Sequence, residues 1–155
     1  MPSFVFPMAK RSYLRDGRAP FPVDARVSEQ MSRIRSKNTG PERMLRKALQ
    51  DAGFRGYRLN YTKVPGKPDV AFVGKKVAVF IHGCFWHCCP HCQPPRPQTH
   101  KDFWDQKLDR NVQRDQRNVR ALRRAGWRVV TIWECRFRKF PESTVRRVER
   151  ALRTT

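Results

Sequence analysis

Acidic residues are scarce in this chain. Its 155 residues hold 13 Asp and Glu against 34 Lys and Arg, a formal net charge of +21. Such a surface repels itself and calls for an anionic partner. Long apolar runs are missing too. The longest, Val77 to Ile81, is far too short to cross a bilayer. The opening MPSFVFPMAKRSY has no long apolar run before its basic residues, so it does not read as a secretory signal. Internal repeats are lacking as well. Disorder along the whole chain is excluded by its 11% aromatic residues and clear periodicity. What remains is one domain's worth of sequence, able to bury a core. The partner could be nucleic acid or an anionic membrane surface. Nucleic acid fits better, because the charge is spread along the chain and no helix joins it to a broad apolar face.

Residues 1–27 read as a tail, with Pro2, Pro7, Pro20 and Pro22 and no stable period. The domain proper is expected over 28–155. Residues 28–37 are polar and basic around Met31 and Ile34, a short helix or an arm. Arg33, Arg35 and Lys37 could follow phosphates. Thr39, Pro41 and Glu42 then give N-cap, first-turn proline and capping-box spacing. This predicts a helix to about Ala52, with Leu45, Ala48 and Leu49 inward. Strands are expected near Arg55–Leu59 and Asp69–Val73, then a turn at Gly74, Lys75 and Lys76. Val77–His82 reads as a central strand covered on both faces. A Cys/His/Pro-rich loop spans 83–100. A long helix over Lys101–Ala125, a strand over Trp127–Trp133 and a helix over Pro141–Leu152 complete the order. The fold class is α/β, a mixed sheet flanked by helices.

Four of the five cysteines, Cys84, Cys88, Cys89 and Cys92, fall within nine residues, and Cys135 follows the later strand. His87 and His91 fall in that window, and His82 stands two residues before it. So compact a group suggests zinc ligation rather than scattered disulfides. Cys84, Cys89, Cys92 and Cys135 are the preferred set, with His91 and Cys88 as rivals. Four protein ligands would leave no open position, so the site would be structural.

Chemistry needs other residues. Asp69 opens a strand and His82 ends the next, so both can stand near one sheet end. A carboxylate suits Mg²⁺, and a histidine can take a proton from water. Asp69 could equally serve the Pro-Asp turn. On the long helix, Leu108, Val112, Val119 and Leu122 mark one face, and Asp115 lies on it. An inward acid needs a partner. His87 or an arginine would serve. Glu42 could cap its helix or lean toward the metal. Phe85, Trp86, Phe103 and Trp104 could wedge between bases or pack in the core.

The segments MSRIRSKNTGPE, VPGKPDV, VFIHGCFWH, THKDFWDQKLDRNVQRDQRNVRAL and GWRVVTIWEC occur in order between Val27 and Phe137. Together they resemble the very short patch repair DNA mismatch endonucleases. The resemblance implies a restriction-endonuclease-like core. It implies Mg²⁺-dependent nicking of one strand 5′ of the thymine in T·G mismatches, which arise from 5-methylcytosine deamination. It puts Mg²⁺ on Asp69 and the Ile81 carbonyl, and makes His87 a general base oriented by Asp115. His82 assists at the phosphate and Glu42 supports the site. Met31, Phe85, Trp86 and Trp104 become the mismatch wedge. Two departures stand out: Ile81 replaces a frequent threonine, and Cys89 stands where relatives can carry histidine. The resemblance further implies a monomer on double-stranded DNA in the bacterial cytoplasm, associated with the nucleoid, and possible contact with other mismatch-repair proteins. The rival functions are a restriction-like or general nicking enzyme and a non-catalytic, zinc-stabilised DNA-binding module.

Overall fold

A computed structural model describes residues 38–154. The expectations for the tail, the arm and Met31 therefore lie outside the described residues. The first helix, α1 (Gly40–Asp51), begins where its punctuation predicts. The Thr39 hydroxyl accepts from the Glu42 N–H at 3.4 Å. The Glu42 carboxylate accepts from the Asn38 N–H at 2.9 Å, satisfying a second donor at the helix start. Leu45 and Leu49 point inward and are fully buried. Each contributes about 1.5–3 kcal/mol by leaving water.

The sheet has four strands in the order β1 (Arg58–Leu59), β2 (Val70–Phe72), β3 (Val77–His82) and β4 (Arg128–Trp133). The first two junctions are antiparallel and β3 pairs parallel to β4. The sheet is therefore mixed, as the sequence predicts. Three boundaries differ. Only Arg58 and Leu59 of the first expected strand pair, because β2 offers them just Ala71 and Val70. Val73–Lys75 coils into a 3-10 turn instead of extending β2, and Lys76 takes a left-handed conformation to enter β3. A short helix, α3 (Glu134–Lys139), follows β4 directly and is not legible in the periodicity.

Alternation along β3 divides the core. Val77, Val79 and Ile81 face Leu45 and Leu49 of α1, Phe137 of α3 and Val148 of α4 (Pro141–Arg153). Ala78 and Phe80 face Leu122 of α2 (Lys101–Arg124). All six β3 residues are buried, as a strand covered on both faces requires. The turn before β2 is held tightly. Gly66 has φ +79°, and a Cβ there would come within 3.1 Å of Phe80 and 3.0 Å of Asn118. Among the described residues no helix is long and apolar enough to cross a membrane.

Candidate active site

The α2 face of the sheet opens at the C-terminal end of β3 into a cleft of about 910 Å³. Glu42, Asp69, His82, His87 and Asp115 all line it. The antiparallel β2–β3 pairing puts Asp69 beside Ile81, whose N–H donates to Asp69 Oδ2 at 2.8 Å. Burial pushes the Asp69 carboxyl up to about 6, partly offset by the Ile81 N–H, and the nearby Glu42 charge adds to the rise. Glu42 caps α1 and also lines the cleft.

Asp115 reaches the same cleft from the middle of α2. His87 Nδ1 lies 2.5 Å from Asp115 Oδ2, and Arg114 contributes a longer contact to Oδ1 at 3.4 Å. Both partners foreseen for this acid are therefore present. Burial pushes Asp115 up, but the hydrogen bond and charge of His87 outweigh it and hold the carboxyl below its ordinary value. A carboxylate on Nδ1 fixes the imidazole tautomer and leaves Nε2 free to accept a proton.

His82 stacks on His87, with ring centroids 4.0 Å apart and planes 8° from parallel. Burial and the neighbouring His87 hold His82 down to about 4, so its ring is neutral near pH 7. Its Nδ1 is buried and makes no hydrogen bond among the described residues. Donor atoms of His82, His87 and Asp115 lie within 4.8 Å of one another. The lone pairs of stacked rings lie in two parallel planes, here 4.0 Å apart at the centroids. The stack suits proton handling better than joint ligation of one ion. Asp69 and Glu42, which line the same cleft, offer the hard oxygens that could hold a divalent cation.

The same 83–92 segment carries Cys84, Cys89 and Cys92, whose Sγ atoms lie with that of Cys135 within 4.8 Å of one another. Cys89 and Cys135 sulfurs are 3.6 Å apart. Backbone N–H groups of Cys135 and His91 donate to the sulfurs of Cys84 and Cys89, each at 3.4 Å. Four soft donors with N–H groups turned toward them fit a tetrahedral zinc ion. The rivals stand apart. His91 is exposed with its ring edge toward Trp133. The Cys88 sulfur faces Arg96 at 3.8 Å.

The aromatic residues form one half-buried group. Phe85 lies 5.0 Å from Trp86 and 5.8 Å from Trp104, and Phe103 packs beside Trp104 at 5.4 Å. The sequence reading missed the residues that hold this loop in place. Arg96 bridges Asp105 at 2.9 Å and Asp109 at 2.7 Å, and Asn111 donates to the Trp86 carbonyl at 3.1 Å. It also missed Glu134, which lines the cleft from the start of α3. An arginine among so many, or an acid hidden by an unforeseen helix, leaves no periodic signal.

A histidine paired with a carboxylate beside a buried carboxylate, on a strongly basic chain, fits the class of phosphodiester-cleaving enzymes. Comparison with known proteins narrows the class. Residues 23–93 match the family described as DNA mismatch endonuclease Vsr. DNA mismatch endonuclease Vsr of Escherichia coli is 37% identical over 112 residues, covering 72% of this chain and 70% of that protein. The Type II nicking enzyme V.XorIIP of Xanthomonas oryzae pv. oryzae is 41% identical over 105 residues, covering 68% and 76%. The Type II nicking enzyme V.NaeI of Lentzea aerocolonigenes is 44% identical over 123 residues, covering 76% and 73%. The chain belongs to the Vsr family and is a DNA mismatch endonuclease.

Proposed function

We propose that the enzyme nicks one strand on the 5′ side of the thymine in a T·G mismatch and that it does so with Mg²⁺. The observation that carries the chemistry is the 2.5 Å contact between His87 and Asp115 in the cleft that also holds Asp69. Asp69 and the Ile81 carbonyl would hold Mg²⁺. When bound, Mg²⁺ supplies charge stabilisation at the transferring phosphate and its leaving oxygen. His87 takes a proton from the attacking water at Nε2, while Asp115 steadies the positive ring that results. His82, neutral and stacked below, keeps His87 in plane and faces the phosphate. Glu42 completes the acidic corner around Asp69.

Cys84, Cys89, Cys92 and Cys135 would hold structural zinc. Phe85, Trp86 and Trp104, with Met31 from the N-terminal arm, would wedge into the mispaired step. A wedge meets less resistance where stacking is already weak. The core is then of the restriction-endonuclease type, acting as a monomer in the cytoplasm, near the nucleoid and alongside other mismatch-repair proteins. The test is Mg²⁺-dependent nicking of labelled duplexes carrying T·G, other mismatches or only paired bases. Nicking confined to T·G is expected. Equal cleavage of paired DNA would sink mismatch choice and favour a general nicking enzyme.

A further inference from the structure

The aromatic group comes from two separate segments. Phe85 and Trp86 belong to the loop after β3, and Phe103 and Trp104 to the first turn of α2. Phe85 lies 5.8 Å and Trp86 6.0 Å from Trp104. All four residues are only half-buried. Beside Phe85 lies a pocket of about 230 Å³, walled by Cys88, Arg96 and Leu108 among others. Phe85 therefore has room at its side. A ring pressed against stacked bases would retreat into that room unless the wall were held.

Part of that wall is the connection from Cys92 to α2, and its backbone is poorly fastened. Among the described residues no main-chain hydrogen bond ties down residues 94–99. Pro94, Pro95 and Pro97 have no N–H to donate. What they supply is stiffness. Pro95 fixes its own φ, and Pro97 disfavours the helical region at Arg96, so Arg96 is presented on a stiff, extended strap. Its guanidinium spans one turn of α2. Nη1 donates to Asp105 Oδ1 at 2.9 Å and Nη2 to Asp109 Oδ1 at 2.7 Å. Nη2 also lies 3.8 Å from the Cys88 sulfur. Asp105 follows Trp104 directly, and Leu108, next to Asp109, is buried against the same pocket. One side chain thus joins the strap, the loop that carries Phe85 and Trp86, and the helix turn that carries Trp104.

We infer that Arg96 is a positioning residue for the mismatch wedge: by locking the strap onto Asp105 and Asp109 it holds Phe85 and Trp86 against Trp104, and so sets the preference for mispaired over paired DNA. Charge argues against a direct hold on DNA. The guanidinium is already spent on two carboxylates, and with Lys101 also on Asp105 the group is neutral. Its contribution is rigidity rather than attraction. Unstacking a base step costs energy, and only rings held in place can force it. The inference rests on the wedge reading given above.

The test compares binding of T·G and fully paired duplexes without Mg²⁺, using variants whose circular dichroism matches wild type. Arg96→Met keeps the stem and removes the fork. It should lower the ratio of T·G to paired affinity about tenfold, part of what base–ring stacking provides, and leave paired affinity within about twofold. Asp105→Asn with Asp109→Asn should lower the ratio as much, although it moves the net charge the other way. All three changes together should lose no more than either set, because they cut one link. Arg96→Lys, which faces one carboxylate at a time, should recover part of the ratio. 2-Aminopurine beside the mispaired thymine should brighten on binding wild-type protein and brighten less with each latch variant. Exposed ion pairs add little stability, so melting temperatures should hardly move. A ratio unchanged in Arg96→Met and in the double Asn variant overturns the latch, and so do additive losses. Weaker binding of both duplexes by Arg96→Met, with tighter binding by the double variant, overturns it as well, since that marks an arginine on a phosphate. Trp86→Ala separates the two failures. If it too leaves the ratio unchanged, the wedge reading has failed. If it lowers the ratio while Arg96→Met does not, the latch alone has failed.

Discussion

The two donor clusters that share residues 83–92 make opposite use of the same backbone. The cysteine side gathers four soft sulfurs and turns backbone N–H groups onto two of them. The cleft side gathers carboxylates and imidazoles, leaves one carboxylate straining toward its neutral form and one imidazole nitrogen unbonded. The first arrangement is complete in itself, and a metal there would stabilise the fold. The second is unfinished without substrate. Satisfied groups hold geometry, while unsatisfied ones react, and one loop of ten residues supplies members to both.

Breaking the first side should cost the most. Cys135→Ser is expected to lose bound zinc by metal analysis and to lower the melting temperature by roughly 10 °C or more. The contrast fails if that variant keeps its zinc and its melting temperature yet stops nicking. Asp69→Asn should do the reverse, cutting nicking about a thousandfold or more while circular dichroism and zinc content stay normal. A smaller loss, about 10–100-fold, is expected from Asp115→Asn, because His87 survives but its tautomer is no longer fixed. A kcat matching wild type would show that Asp115 only pairs with Arg114.

Acidity sharpens the comparison further. Asp69 moves from its ordinary 3.8 to about 6 in the fold. Its contribution to stability is therefore full below pH 3.8 and is lost as pH rises through about 6. Added Mg²⁺ should thus raise the melting temperature more at pH 7 than at pH 5, and Asp69→Asn should erase that difference. Equal shifts at both values would remove Asp69 from the cation site. The smallest effect expected is at the aromatic group. Trp86→Ala should weaken mismatch binding by about 1–3 kcal/mol and leave paired DNA nearly unaffected.

Much of this was readable beforehand where one residue type has one physical use. Thr39, Pro41 and Glu42 declare a helix start, and an apolar run such as Val77–Ile81 can only be an inner strand. Asp115 stood out because an acid on an apolar face requires a partner. The sulfur group was harder. Cys88 and Cys89 are neighbours, yet the Cys89 sulfur joins Cys135 while the Cys88 sulfur faces Arg96, with a left-handed backbone at Cys88 (φ 51°) between them. Sequence spacing carries no trace of that reversal. Nor could it reveal α3, since six residues give too few turns for a period, and with α3 came Glu134. The grip of Arg96 on two aspartates was hidden by the abundance of other arginines.

The parallel pairing of β3 with β4 has a consequence for how the chain is made. Cys84 and Cys135 stand 51 residues apart, on segments that meet only after α2 has crossed the sheet. During synthesis, three thiols emerge well before the fourth. Until then the site is half built, and an ion there would be gripped poorly and released readily. Tight loading must wait for β4 to dock beside β3 in register. An ion held by all four sulfurs would thus be captured last and only by correctly threaded molecules, and its retention would be a seal on finished topology rather than a seed for it.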